Sequence, residues 1–118
     1  MSEINNLMEE MVDMVIKRGN ELTSPDGTAK KANQYFDKIL VLVNKMKKME
    51  GYAENMKNLL NHENDYVKLK AAFELLPIYT KEAEHVLFML SQKRGLVAFD
   101  AELALERWQK GELHKNRN

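Results

Sequence analysis

A chain of 118 residues has the commonest single-domain size, and one core is expected to bury roughly two thirds of the surface its unfolded form exposes. Its 18 basic and 18 acidic side chains cancel and 44% of its residues are apolar, which excludes a disordered chain and any global field toward nucleic acid or anionic lipid. Cysteine is absent, so disulfides, thiolate zinc sites and cysteine nucleophiles are excluded together, and a reducing cytoplasm is suited.

In chain order, the first segment, Ser2 to about Leu22, places Ile4, Leu7, Met8, Met11, Val12, Val15 and Ile16 at steps of three and four, the stripe of an amphipathic helix. Ser2 is its cap. The N-terminus is acidic and lacks the basic region of a signal peptide, and no apolar run approaches the about 18 residues of a membrane span. The expected setting is cytoplasmic and bacterial, with no membrane contact. Ser24-Pro25-Asp26-Gly27 reads as a type I turn that folds the first helix back onto a second.

That second helix is predicted from about Thr28 to Glu50, with Ala29, Ala32, Phe36, Ile39, Leu40, Val43, Met46 and Met49 on one face and Gly51 as its stop. A short third helix, Tyr52 to Asn61, buries Met56, Leu59 and Leu60. The fourth, Asp65 to Leu76, is so rich in apolar and small residues that it is expected to be covered on most sides. Pro77 interrupts the chain, and Thr80 then offers a hydroxyl cap to a fifth helix reaching Gly95, with Ala83, Val86, Leu87 and Leu90 inward. A sixth, Val97 to Lys110, buries Ala98, Ala101, Leu105 and Trp108 and ends at Gly111. The prediction is an all-α domain over residues 1–111, about six helices in antiparallel hairpins, with a frayed polar tail over 112–118.

Within this frame, Leu59-Leu60 close one helix and a polar hinge carries Asp65. Val67-Lys68, Ala71-Ala72 and Leu75-Leu76 then follow on the next helix. This pattern, Asn58 to Leu76, resembles a HEAT repeat: the valine plugs the hairpin and the alanine pair lets helices approach closely. The resemblance implies a short HEAT-like α-α superhelix in which a hinge acid and the base after the valine, here Asp65 and Lys68, tie neighbouring turns together. More broadly, residues 27–113 are similar to a prokaryotic family known as domain of unknown function 2019. The similarity runs through Ala32-Asn33 ahead of an aromatic, Asp37-Lys38, Lys81-Glu82-Ala83 and Leu105 to Trp108-Gln109-Lys110-Gly111. That likeness implies a fold and no activity, and it leaves residues 1–26 as a variable N-terminal helix.

Chemistry is sparse. His62, His85 and His114 make no i, i+4 metal pair, and Glu82 or Glu84 beside His85 is too local for a metal constellation. Glu9, Glu10 and Asp13 share the first helix with no nucleophile or histidine to define a reaction, and they read as surface charge. The glycines are scattered singly, so no phosphate loop exists. No catalytic, cofactor or metal residue is assigned.

Binding features are richer. Lys30, Lys31, Lys38, Lys45, Lys47 and Lys48 concentrate on the second helix, while Glu3, Glu9, Glu10, Asp13, Glu21 and Asp26 dominate the first. Two antiparallel helices compensating each other explain this best; Lys45 and Lys48 gripping an acidic partner or nucleic acid is the functional reading. The lysines lack interleaved aromatics, which disfavours nucleic acid. Asn33, a lone amide among apolar neighbours, is expected to hold the nearby hinge backbone or touch a ligand. Tyr66, at the open hinge, either anchors a partner or lies over the preceding helix. The chain holds 8 methionines, and Met8, Met11 and Met14 make the first helix either core or an adaptable face for a second copy.

The expected function is a non-enzymatic protein-protein interaction module with Asn33, Tyr66, Lys45 and Lys48 as candidate contacts. The alternatives are an inhibitor or immunity-type protein against a neighbouring enzyme, or a weak nucleic-acid binder through the lysine-rich helix. A homodimer through the Met-rich first helix is a further expectation.

Overall fold

The computed structural model describes residues 2–113, which divide into two compact units, one ending at Met56 and the other beginning at Lys57. Among the described residues every element is helical. The end of the predicted polar tail, residues 114–118 with His114, lies outside the described residues.

The first unit holds α1 (Glu3–Thr23), α2 (Ala29–Met46) and most of α3 (Tyr52–Asn58). Ser2 caps α1 by accepting from the Asn5 N–H, and Thr28 caps α2 by accepting from the Lys31 N–H. Between them the chain reverses: the Gly27 N–H reaches the Ser24 carbonyl at 3.0 Å, and Glu21 Oε1 accepts from the Thr28 N–H at 2.9 Å. The hairpin is antiparallel, because Glu3 at the start of α1 meets Lys45 at the end of α2. Ile4, Met8, Met11, Val15 and Gly19 form the buried line of α1, so its methionines Met8 and Met11 are core.

Two expectations for α2 are corrected. Its buried arc is Ala32, Ile39, Leu42, Val43 and Met46, while Ala29, Phe36 and Leu40 are exposed. A single hairpin neighbour covers only about 100° of a helix, and at 100° per residue Phe36 and Leu40 fall beyond that edge. The helix also stops at Met46, not Glu50: Lys47 donates to the Val43 carbonyl, after which Met49 to Met46 closes as an i, i+3 turn. Past Met46 the exposed Lys47 and Lys48 provide no burial to sustain the ladder.

The second unit holds the end of α3, a 3₁₀ turn (Leu59–Asn61), α4 (Asp65–Leu75), α5 (Thr80–Ser91) and α6 (Leu96–Gln109). Helix α4 packs on the 3₁₀ turn, α5 and α6, and none of its residues is exposed, as its composition predicts. Val67, Ala71, Ala72 and Leu75 are fully buried; the two alanines remove the side-chain bulk that would hold neighbours apart. Glu74 is buried beside them with Lys70 Nζ at 2.9 Å. The ends of α5 differ from expectation. Thr80 is not a cap: its hydroxyl donates back to the Leu76 carbonyl at 2.6 Å. The helix closes at Ser91, where the Gln92 N–H turns to the Met89 carbonyl, and Gly95 begins α6 rather than ending α5. In α6 the buried line is Val97, Ala98, Ala101 and Ala104, with Leu105 and Trp108 half-buried.

Candidate interaction surfaces

Of the four residues singled out by sequence, Asn33, Lys45 and Lys48 lie in the first unit and Tyr66 in the second. Asn33 and Lys45 both lie on α2, but twelve residues of helix place them about 18 Å apart along its axis at about 1.5 Å per residue. Asn33 faces solvent, so its amide carries no desolvation cost and does not have to be satisfied by the hinge. Lys45 Nζ stands 3.4 Å from Glu3 Oε2, with both side chains mostly exposed, which is the cross-helix compensation the charge pattern predicts. Lys48 is exposed in the turn after α2. Tyr66 belongs to the second unit, half-buried in the first turn of α4, with its N–H donating to Asn64 Oδ1 at 2.9 Å.

In the second unit an open cleft of about 390 Å³ is lined by Lys57, Leu60, Asn61, Lys81, Glu82, His85 and Val86. Lys57 comes from the end of α3 and the last four from one side of α5, so the cleft runs between those elements. Two of its charged side chains, Lys57 and Glu82, are engaged with each other. Lys57 Nζ lies 3.8 Å from Glu82 Oε2 and 4.3 Å from the centre of the Tyr79 ring, a cation held by a carboxylate and a π-face. Glu84 turns away and accepts from the Trp108 indole N–H at 3.1 Å. The carboxylates nearest His85 in sequence therefore serve helix packing, and among the described residues no group of three or more histidine or acidic side chains is placed to hold a metal ion.

The larger features are apolar. On α2, Phe36, Leu40 and Val41 stand out, and at the α5–α6 turn Phe88, Met89, Leu96 and Phe99 do, each between 45% and 67% exposed. Phe36 and Leu40, one turn apart, share a side of α2, and the Arg18 guanidinium sits 5.4 Å from the Phe36 ring. Scattered exposed hydrophobes are normal on a protein surface; neighbouring large ones mark contact sites. The sequence stripes place Phe36 and Leu40 on the inward face of α2 and pass over Val41, Phe88, Met89, Leu96 and Phe99. The available signal was the unbroken apolar runs Ile39 to Val43, Leu87 to Leu90 and Leu96 to Phe99. A helix covered on one side cannot bury every member of such a run, because successive residues point about 100° apart.

The crystal structure of protein RPA1889 from Rhodopseudomonas palustris is similar to this chain, with a TM-score of 0.86 over 98% of this chain and 96% of that one at 18% identity. The likeness shows the all-helical fold. No family model matches the sequence, and no curated protein matches it. Among the described residues no helix is long and apolar enough to cross a membrane.

Proposed function

We propose that this chain is a non-enzymatic protein-protein interaction module. The observation that carries the reading is the exposure of Phe36, Leu40 and Val41 on α2 and of Phe88, Met89, Leu96 and Phe99 at the α5–α6 turn. Aromatic and methionine side chains supply much contact area, and they are the residue types enriched where proteins meet. The HEAT-like pattern of Asn58 to Leu76 supports it, since stacked helical hairpins present ridges and grooves rather than reactive groups. Met8 and Met11 of α1 are buried and Met14 is half-buried, and the apolar edges of α2 and of the α5–α6 turn are the more exposed contact surfaces.

Native-lysate affinity purification coupled to mass spectrometry tests the reading, run alongside a metabolite-turnover screen of the purified protein. Reproducible enrichment of a specific protein and no turnover is the expected result. Turnover of a metabolite with no enriched protein would overturn it.

A further inference from the structure

We infer that the cleft between the end of α3, the 3₁₀ turn and α5 binds a small organic monocarboxylate. The inference goes beyond the interaction-module reading and does not depend on it, since no residue of the cleft belongs to either apolar surface. The polar side chains of the cleft are of two kinds. Lys57 and Glu82 hold each other at 3.8 Å, whereas Asn61, Lys81 and His85 have no hydrogen-bond or ion-pair partner among the described residues. Lys81 and His85 stand one turn apart on the same side of α5, about 6 Å along its axis. Asn61 enters from the 3₁₀ turn on the other wall. An ammonium, an imidazole N–H and a side-chain amide each offer a donor, so these three groups can converge on one acceptor.

Charge and shape define the ligand. Two lysines and one glutamate line the cleft, which leaves one positive charge with His85 neutral. The other acid of α5, Glu84, is taken up by the Trp108 indole N–H at 3.1 Å. Glu54 and Glu63, the acids nearest in sequence to Lys57 and Asn61, are not among the lining residues. A monoanion therefore balances the cleft. A cation would meet Lys81, and a dianion would meet Glu82 without a second unengaged lysine to offset it. Leu60 is buried and Val86 half-buried, so the walls also offer apolar surface to a short hydrocarbon body. The volume of about 390 Å³ lies near the lower end of the range of about 300–1,000 Å³ found for ligand sites, which limits that body to a few carbons.

Hexanoate is the probe, with hexanamide as its uncharged counterpart and inorganic phosphate as the more highly charged anion. Each is titrated into the full chain and followed by heteronuclear NMR. The expected result is saturable shifts at the backbone amides of Asn61, Lys81 and His85 at millimolar hexanoate, with hexanamide and phosphate binding more weakly. Lys81→Gln should weaken hexanoate about tenfold, the loss of one charge-assisted hydrogen bond, and His85→Ala should weaken it less. Lys31→Gln, at an exposed lysine of α2, should leave the affinity unchanged. Lys81 and His85 are exposed, so their variants should melt with the wild type, and Asn61→Ala is the substitute if one does not.

Four results would overturn the inference: no saturable shift, hexanamide binding as tightly as hexanoate, phosphate binding more tightly than either, or an affinity indifferent to Lys81→Gln and His85→Ala. An equal loss in Lys31→Gln would show diffuse attraction to lysines in place of a site and overturn it too. Lysate purification tests the interaction-module reading separately, so either can fail without the other.

Discussion

Asp65 Oδ2 accepts from Lys93 Nζ at 2.8 Å, joining the start of α4 to the turn that follows α5. The two residues are 28 apart in sequence, and their pairing shows that α4 and α5 run antiparallel. The HEAT resemblance assigned the basic partner to Lys68; the structure places Lys68 at 3.9 Å and Lys93 closer. Both Asp65 and Lys93 keep partial exposure, so water and salt weaken the attraction. A double-mutant cycle of Asp65→Asn and Lys93→Met in urea denaturation should give a coupling of about 0.2–1 kcal/mol, reduced in high salt.

Asn64 has a larger local role. Its Oδ1 accepts from the N–H groups of Tyr66 and Val67 at 2.9 and 3.2 Å, satisfying two of the unpaired donors at the start of α4. Its own N–H donates to His62 Nδ1 at 2.9 Å, so the hinge fixes itself before the helix begins. Asn64→Ala should destabilise the second unit by about 1 kcal/mol. Urea unfolding followed by the fluorescence of Trp108, which lies in that unit, checks the value.

Gly27 and Gly95 are constrained for different reasons. A β-carbon on Gly27 would overlap the backbone carbonyl of Glu21, so Gly27→Ala must open the α1–α2 turn, at a cost of about 1–3 kcal/mol. Around Gly95 there is open space, but its φ of 87° and ψ of −163° belong to a region essentially restricted to glycine. Gly95→Ala should therefore cost about 1–3 kcal/mol through backbone strain alone. Thermal melts should show both variants destabilised; a neutral Gly95→Ala would contradict that backbone geometry.

The hydrogen bond and charge of Asp13, 2.9 Å away on α1, raise the pKa of Lys17 above the ordinary 10.5. The folded value being the higher one, the pair's stabilisation is fully present below the ordinary lysine pKa and disappears as pH rises through the raised value. Asp13→Asn should bring Lys17 back toward 10.5 in an NMR titration of its side chain. Because both groups are about half exposed, the effect on melting should be slight.

The helices were legible where side chains control their ends. Ser2 caps α1 as its hydroxyl suggests, Thr28 stands at the expected start of α2, and the many apolar and small residues of α4 match a helix with no exposed residue. Thr80 misled because the same hydroxyl can accept from a helix start or donate back to a carbonyl, and here it does the latter. Gly95 misled because a glycine between two helices can serve either one. The exposed surfaces were least legible. Phe36 and Phe99 look like core residues by type, and only the number of neighbours covering each helix decides that their faces stay open. Asn33, Lys45 and Lys48 were chosen for polarity, whereas the structure draws attention to the apolar side chains on the same helix and at the α5–α6 turn.

The interaction-module account is tested most directly by quantitative affinity purification from the same lysate. The baits are the wild-type chain and a folded variant carrying Phe36→Ser, Leu40→Ser, Phe88→Ser and Phe99→Ser. All four positions are exposed, so the variant should melt near the wild type while losing contact area. The account predicts that proteins enriched by the wild type are lost, about tenfold or more, from the variant. Indistinguishable interaction profiles from two equally folded baits would contradict it.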